Sequence, residues 1–144
     1  IKWPNDLFWR DRKAGGILIE NVLQGKIWKW AVVGIGLNIN QTKFDKSILN
    51  PVSLKQITGK TFDIIELGKS LHGLVMKNLT DLKADNNAIE QYNEHLYKRN
   101  ELVTLKKGEG IIKTVIKEVS ASGKLITVDA DEREFDFGEV EWVL

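Results

Sequence analysis

The chain of 144 residues has no cysteine and only two histidines. Without thiolates it can form neither a disulfide framework nor a thiolate metal site, and two histidines cannot build a histidine-rich metal cage. No apolar run approaches the roughly 20 residues that a membrane span needs, and no charged-then-apolar signal segment is present. We therefore predict a soluble, cytoplasmic protein with no membrane partner and with neither a thiolate nor a histidine-rich metal site.

Excess charge of one sign is also lacking, because the net charge is only +1. Its distribution is uneven: residues 1–44 carry seven Lys and Arg against three Asp and Glu, whereas residues 100–144 carry six against ten. This balance argues against a chain that binds nucleic acid as a whole, and it places any anionic ligand at the basic amino-terminal end. Solvated surface charge would give the same pattern.

Two β-strands are predicted in the amino-terminal third. Residues 17–19 lead into a turn at Gln24-Gly25, and residues 27–37 lead out of it. The second strand is apolar almost throughout, which is typical of a strand covered on both faces. Gly34 and Gly36 interrupt its side-chain surface on one face, which favours close approach by a ligand or by another backbone.

Three helices are predicted next. The first is short and covers about residues 53–57. Asp63 followed by Glu66 resembles a capping box, and the apolar residues from Ile64 to Leu82 follow the period of an amphipathic helix. A third helix begins at Asn87 and has an apolar side made of Ile89, Tyr92 and Leu96. We expect the preceding strands to cover these apolar stripes.

From residue 100 onward the periodicity changes to two. Five short strands are predicted at residues 102–105, 110–116, 124–128, 134–137 and 140–143, with turn signals between them. Five short strands in about 45 residues suit a small antiparallel barrel of the SH3 kind. The sequence thus predicts an α+β chain with a partial mixed β-sheet and helices in residues 1–99 and an SH3-like β-barrel in residues 100–144.

The opening segment carries the densest polar chemistry. Lys2, Asn5, Asp6 and Lys13 offer two cations, one carboxylate and one amide, which can hold a nucleotide phosphate and steady negative charge on phosphorus. Pro4 restricts the residue before it to extended backbone, so we expect a strand that presents Asn5 and Asp6 at its end. The alternative is structural: surface lysines, a turn-capping Asp6 and a core Trp3.

Three motifs in order give these residues a family context. The runs Lys2-Trp3-Pro4-Asn5-Asp6, Arg12-Lys13-Ala14-Gly15-Gly16-Ile17-Leu18-Ile19-Glu20 and Gly34-Ile35-Gly36-Leu37-Asn38-Ile39-Asn40 resemble biotin protein ligase. The resemblance is strong over residues 1–40 and looser through the helices, and the small terminal β-domain also fits that family. It implies the carboxy-terminal part of a catalytic domain of the class II synthetase and biotin ligase kind, with the amino-terminal half absent.

The resemblance also implies a reaction and roles for particular residues. Biotin and ATP, with Mg²⁺, would form biotinyl-5'-AMP, and a lysine of a biotin carboxyl carrier protein, from acetyl-CoA carboxylase or another carboxylase, would then take the biotinyl group. The catalytic residues implied are Lys13 and Asp6. The implied biotin contacts are Lys13, Gly16, Ile17, Gly34 and Gly36, and the implied ATP and adenylate contacts are Lys2, Trp3, Asn5, Asp6 and Asn38.

The resemblance also predicts what this chain lacks. The Gly/Arg-rich loop that closes over the adenylate in the family would lie upstream of Ile1, so we expect the 144 residues to be inactive alone and to expose an apolar sheet edge. The sequence is compatible with a homodimer. A nucleic-acid partner would need an upstream helix-turn-helix. Two alternatives remain: a lipoate ligase-like enzyme, and a non-catalytic binding or dimerisation module.

Overall fold

The described residues form an α+β fold with two β-sheets and three helices. A computed structural model describes residues 1–81 and 87–144. The contacts divide the chain into two compact units. One comprises Asn5–Val75, and the other comprises Ile1–Pro4 together with Met76–Leu144.

The first unit contains a three-stranded antiparallel sheet in the order β1-β2-β3. Its strands are β1 (Asp6–Trp9), β2 (Arg12–Gln24) and β3 (Ile27–Leu37). The predicted hairpin with its turn at Gln24-Gly25 is confirmed, and Gly25 has a φ of 62°, which glycine adopts without steric cost. The expectation that Asn5 and Asp6 end a strand is wrong, because Asp6 begins β1.

Strand β3 lies at one edge of this sheet and has β2 as its neighbour. The prediction that both of its faces are covered is wrong for the described residues: every residue of β3 except Ala31 and Leu37 is exposed, including Trp28 at 66% and Trp30 at 63%. The physical reason is that none of the described elements packs on either face. The exposed apolar sheet edge expected from the sequence is thereby confirmed.

Two helices follow the sheet. Helix α1 (Leu54–Thr58) begins with a complete capping box, in which Ser53 Oγ accepts from the Gln56 N–H and the Gln56 side chain accepts from the Ser53 N–H. Helix α2 (Ile64–Asp81) begins as predicted, because Asp63 Oδ1 accepts from the Glu66 N–H at 3.1 Å. Its last predicted apolar position, Leu82, lies outside the described residues.

The apolar stripe of α2 is not covered as the sequence predicts. Large apolar residues of α2 are exposed, namely Ile64, Ile65, Leu74, Met76 and Leu79. Leu67, Leu71 and Val75, four residues apart, are half-buried. An amphipathic stripe indicates that a partner surface exists without locating it, and the described residues do not supply that surface.

The second unit contains helix α3 (Ala88–Glu94) and a five-stranded antiparallel sheet. The strands are β4 (Leu102–Lys107), β5 (Gly110–Val119), β6 (Leu125–Val128), β7 (Glu132–Phe135) and β8 (Glu141–Trp142), in the order β7-β6-β5-β4-β8. All five predicted strands are confirmed within a few residues, in a small barrel-like domain. Over residues 1–81 and 87–144, no helix combines the length and apolarity needed to cross a bilayer.

A single apolar core holds this second unit together. Its buried members are Trp3, Leu96, Leu105, Ile116, Val119, Leu125, Phe135 and Val140. The predicted apolar side of α3 is confirmed for Ile89 and Tyr92, which pack against this core, whereas Leu96 is buried in the core but lies beyond the end of the helix at Glu94. The Tyr92 hydroxyl donates to the Pro4 carbonyl at 3.1 Å, and burial raises the pKa of Tyr92 to about 12.

Asn93 of α3 gives the second unit a testable polar link. Its buried side-chain amide donates to the Val119 carbonyl at 2.9 Å and accepts from the Val119 N–H at 2.7 Å, as a neighbouring strand would. Asn93→Ala leaves both groups without these partners, so we expect the free energy of unfolding to fall by about 2–4 kcal/mol in urea titrations. Gln91→Ala, which removes an exposed amide from the same helix, is the matched control. Equal stability of the two variants would contradict this role.

Candidate functional site

A cavity of about 460 Å³ lies within the first unit, on the three-stranded sheet. Its lining residues come from β1, β2, β3 and the residue before β1: Asn5, Asp6, Lys13, Gly16, Ile17, Leu18, Gly34, Ile35 and Gly36. The sheet thus brings together seven of the sequence-predicted site residues, drawn from all three motifs. The volume lies in the range of small-molecule sites, which are typically about 300–1,000 Å³.

One side of the cavity is defined by an ion pair. Lys13 Nζ lies 2.6 Å from Asp6 Oδ1, and the two side chains are 41% and 19% exposed. Asp6 is held in place because it begins β1 and pairs with Gly16 of β2. The pair combines a positive charge and a proton acceptor at one point of the cavity wall, and it remains accessible to a ligand.

A β-bulge aims Lys13 into the cavity. Leu7 pairs with Gly15 and Phe8 with Lys13, so Ala14 is an extra residue in β2. In a regular strand Lys13 and Gly16, three residues apart, would face opposite sides of the sheet. The bulge restores them to one face, and a Cβ placed on Gly16 would lie 3.9 Å from Lys13 Cε.

The main chain of Lys13 is fixed by a second segment. The Lys13 N–H donates to the Asn50 carbonyl, and the Lys13 carbonyl accepts from the Val52 N–H, both at 2.8 Å. These bonds form an isolated parallel bridge between Lys13 and Pro51 beside the three antiparallel strands. The Asn38 side chain adds a third bond, from Nδ2 to the Lys13 carbonyl at 3.2 Å.

The opposite side of the cavity is a strand surface without side chains. A Cβ added to Gly34 or Gly36 would have its nearest neighbour, a backbone oxygen of β2, at 3.8 or 3.9 Å, which is ordinary contact. Packing inside this unit therefore does not require glycine at these two positions. Gly15 differs, because an added Cβ would lie 2.3 Å from the Gly36 carbonyl oxygen. Gly34 and Gly36 leave open space at the cavity, whereas Gly15 permits the strands to approach.

Asn5 and Ile17 close the end of the cavity through the main chain. The Asn5 side-chain amide donates to the Ile17 carbonyl at 2.7 Å, and the Ile17 N–H donates to the Asn5 carbonyl at 2.9 Å. Leu18 and Ile35 also line the cavity, although the sequence did not single them out. The signal that identifies Leu18 is its register opposite Gly34, which depends on the strand pairing.

Two predicted adenylate residues belong to the other compact unit. Trp3 is 3% exposed in the core of that unit, and its indole Nε1 donates to the Gly123 carbonyl at 2.9 Å. The Lys2 ammonium lies 5.4 Å from the centroid of the Trp142 ring. Roles of Lys2 and Trp3 in nucleotide binding stay predictions.

The described part of the chain contains no group of three or more His, Asp or Glu side chains close enough to hold a metal ion. Asp6 is the carboxylate of the cavity, and it is already paired with Lys13. Mg²⁺ is commonly bound through one or two carboxylates together with substrate phosphates. The residues present therefore suit a magnesium ion that arrives with a nucleotide, not one held by the protein alone.

Taken together, the fold and the cavity indicate a protein that binds a small molecule. A cation paired with a carboxylate faces a strand surface that lacks side chains, on an α+β scaffold. Such a cavity suits a small ligand with a flat ring system and an anionic group.

Comparison with known proteins finds similarity to biotin ligases. No protein-family model matches the chain. Among curated proteins, the bifunctional ligase/repressor BirA of Escherichia coli is 44% identical over 52 residues, which cover 35% of this chain and 16% of that protein. The human biotin–protein ligase is 22% identical over an alignment of 159 positions, which covers 94% of this chain and 21% of that protein.

Solved structures give the more extensive match. The apo structure of the Aquifex aeolicus biotin protein ligase has a TM-score of 0.77 and 27% sequence identity, and it covers 98% of this chain and 63% of that one. The same ligase in complex with biotin and ATP has a TM-score of 0.76. The chain is similar to biotin protein ligases over almost its whole length and matches the carboxy-terminal part of these relatives. It spans less than two thirds of the length of these relatives.

Proposed function

We propose that this chain is the carboxy-terminal part of an ATP-dependent biotin–carboxyl-carrier-protein ligase and contributes the wall of its biotin and adenylate site. The observation that carries the proposal is the Lys13–Asp6 ion pair, which faces Gly34 and Gly36 across one cavity. The relationship to biotin protein ligases supports it, and so does the fact that the Aquifex enzyme binds biotin and ATP.

In the proposed first step, a carboxylate oxygen of biotin attacks the α-phosphorus of ATP and pyrophosphate leaves, which yields biotinyl-5'-AMP. Two anions must approach each other, and negative charge builds on the non-bridging phosphate oxygens. Lys13 supplies the positive charge that offsets this repulsion, since its ammonium group projects into the cavity from a fixed main chain. Magnesium, if it arrives with the nucleotide beside Asp6, would supply further positive charge at this centre.

The glycine surface of β3 is assigned to the ring of biotin. Gly34 and Gly36 let a flat group lie directly against the backbone, and Leu18, which pairs with Gly34 on the same face, adds apolar surface to the cavity lining. Gly16, which pairs with both Asp6 and Gly36, lies between the charged and the apolar sides of the cavity. The carboxylate end of the ligand is accordingly assigned to the Lys13 side of the cavity.

In the proposed second step, the amine of a carrier-protein lysine attacks the acyl carbon, AMP leaves and an amide bond forms. The incoming amine must lose a proton. Asp6 is assigned to orient this amine and accept its proton, because its carboxylate is the proton acceptor of the cavity wall. Asn5 and Asn38 are assigned to adenylate binding, although the bonds described above also give both side chains a role in holding the main chain.

The test uses the intact ligase that carries this sequence, supplied with biotin, MgATP labelled in the α-phosphate and a biotin carboxyl carrier protein. We expect labelled biotinyl-adenylate, followed by labelled AMP release and biotinylation of the carrier protein. The 144 residues alone are expected to form no adenylate, because the family's Gly/Arg-rich loop is not among them.

Substitution of lipoate for biotin in the same assay separates the proposal from its nearest alternative. An intact protein that adenylates lipoate but not biotin would be a lipoate ligase-like enzyme. One that turns over neither acid, yet binds the carrier protein, would be a binding module, and the proposed function would be wrong.

A further inference from the structure

Arg12 precedes Lys13 in β2, and consecutive side chains of a strand point to opposite faces. The Lys13 side chain lines the cavity, whereas the Arg12 guanidinium reaches the segment that fixes the Lys13 main chain. Arg12 Nη2 and Nε both donate to the Pro51 carbonyl, at 2.6 and 3.1 Å, and Nη2 also lies 3.4 Å from Gln56 Oε1.

The position of Pro51 makes this contact informative. Pro51 lies between the two residues that hydrogen-bond the Lys13 main chain, Asn50 through its carbonyl and Val52 through its N–H. Proline has no N–H, so its carbonyl is the one main-chain polar group by which the Pro51 peptide can be held. The planar guanidinium, with its several N–H donors, suits a two-pronged grip on one oxygen.

The same segment contains a backbone conformation that needs support. Asn50 has a φ of 44°, in the left-handed region that residues other than glycine seldom adopt. Such conformations persist where surrounding contacts determine them. Val52 and Ser53, immediately after Pro51, are almost fully buried and anchor the far side, so Arg12 completes the hold on residues 50–53.

We propose that Arg12 is a positioning residue for Lys13: it grips the Pro51 carbonyl and thereby fixes the segment that holds the Lys13 main chain in register with Asp6 and Gly16. This inference rests on the proposed function for its effect on rate. The Arg12 side chain is not part of the cavity lining. Its loss should therefore lower kcat for adenylate formation while the KM for biotin, which depends on the glycine surface, stays unchanged.

The experiment is a double-mutant cycle on the intact ligase. Arg12→Ala is expected to lower kcat for biotinyl-adenylate formation about 10- to 100-fold, since small displacements of a catalytic group have effects of this size. In the Lys13→Ala background the same change should have little further effect, because the group it positions is gone. Arg10→Ala, which removes an exposed cation from the β1–β2 turn, is the control and should leave kcat unchanged.

A second measurement does not depend on activity. Amide hydrogen exchange at Lys13 and Val52 should become faster in Arg12→Ala and not in Arg10→Ala, because their N–H groups form the bridge that Arg12 supports. If the wild-type ligase forms no adenylate but exchange changes as expected, the proposed function fails and the positioning role stands. Unchanged exchange, or an equal loss of kcat in both Lys13 backgrounds, would overturn the positioning role while leaving the proposed function intact.

Discussion

Lys13→Ala in the intact ligase is expected to lower the rate of biotinyl-adenylate formation by about 10²–10³-fold, the usual effect of removing one preorganised charge-stabilising contact. The ammonium group lies 2.6 Å from Asp6 and projects into the cavity, so its loss removes the cation that offsets repulsion between two anionic reactants. Single-turnover formation of labelled biotinyl-adenylate is the measurement that reports this step directly.

The fold should survive this change. The Lys13 side chain is 41% exposed, and the segment it belongs to is held through main-chain bonds that alanine retains. Lys26→Ala, at the exposed turn between β2 and β3, removes an equal charge from the same sheet and should leave the rate unchanged. A Lys13→Ala enzyme that kept the wild-type rate would remove Lys13 from the chemistry.

Gly15→Ala is expected to cause a large loss of stability. Its Cβ would lie 2.3 Å from the Gly36 carbonyl oxygen and 2.8 Å from Leu37 Cδ2, so β2 and β3 would have to separate where the cavity lies. Overpacking of this kind costs about 3 kcal/mol, which urea unfolding of the intact ligase would detect.

Gly36→Ala is the matched comparison on the facing strand. Its Cβ meets the nearest protein atom at 3.9 Å, so stability should change by no more than about 0.5 kcal/mol. The added methyl group enters the proposed biotin surface, and biotin affinity measured by calorimetry should fall about 10- to 200-fold. Equal stability losses in the two variants, or undiminished biotin affinity in Gly36→Ala, would contradict the division between packing glycine and site glycine.

The barrel-like domain was the part of the fold most fully predicted from the sequence. Its strands are short and separated by clear turn signals, and its turns carry glycines that adopt positive φ, such as 58° at Gly108 and 83° at Gly123. The start of β2 was missed because the bulge at Ala14 interrupts the alternation on which strand prediction depends. The uncovered faces of β3 and α2 could not be predicted, since a hydrophobic pattern reports the need for a partner and not its presence.

The sequence predicted which residues form the candidate site but not how they are arranged. The order of three motifs nominated Lys13, Asp6 and the glycines, and the structure brings these residues to one cavity. The strand register decided the rest, because Leu18 enters the lining through its pairing with Gly34. The sequence gives no indication of the role of Arg12 except that it precedes Lys13, because its partner Pro51 lies 39 residues away.

The bulge at Ala14 also determines where residues can be inserted near the site without disturbing it. On the side of β2 that pairs with β3, the partner changes at Ala14. Gly15 pairs with Leu37, where β3 ends, whereas Lys13 pairs with Pro51. Residues 38–49 are therefore an excursion, in which the chain leaves this side of β2 and then returns to it. Residues 43–49 of this excursion are mostly exposed, and loops of this kind absorb insertions at small entropic cost. An added residue between Lys13 and Gly16, in contrast, would turn the lysine to the other face of the sheet. A change of length is therefore tolerable in the excursion but would disable the site if it fell between Lys13 and Gly16.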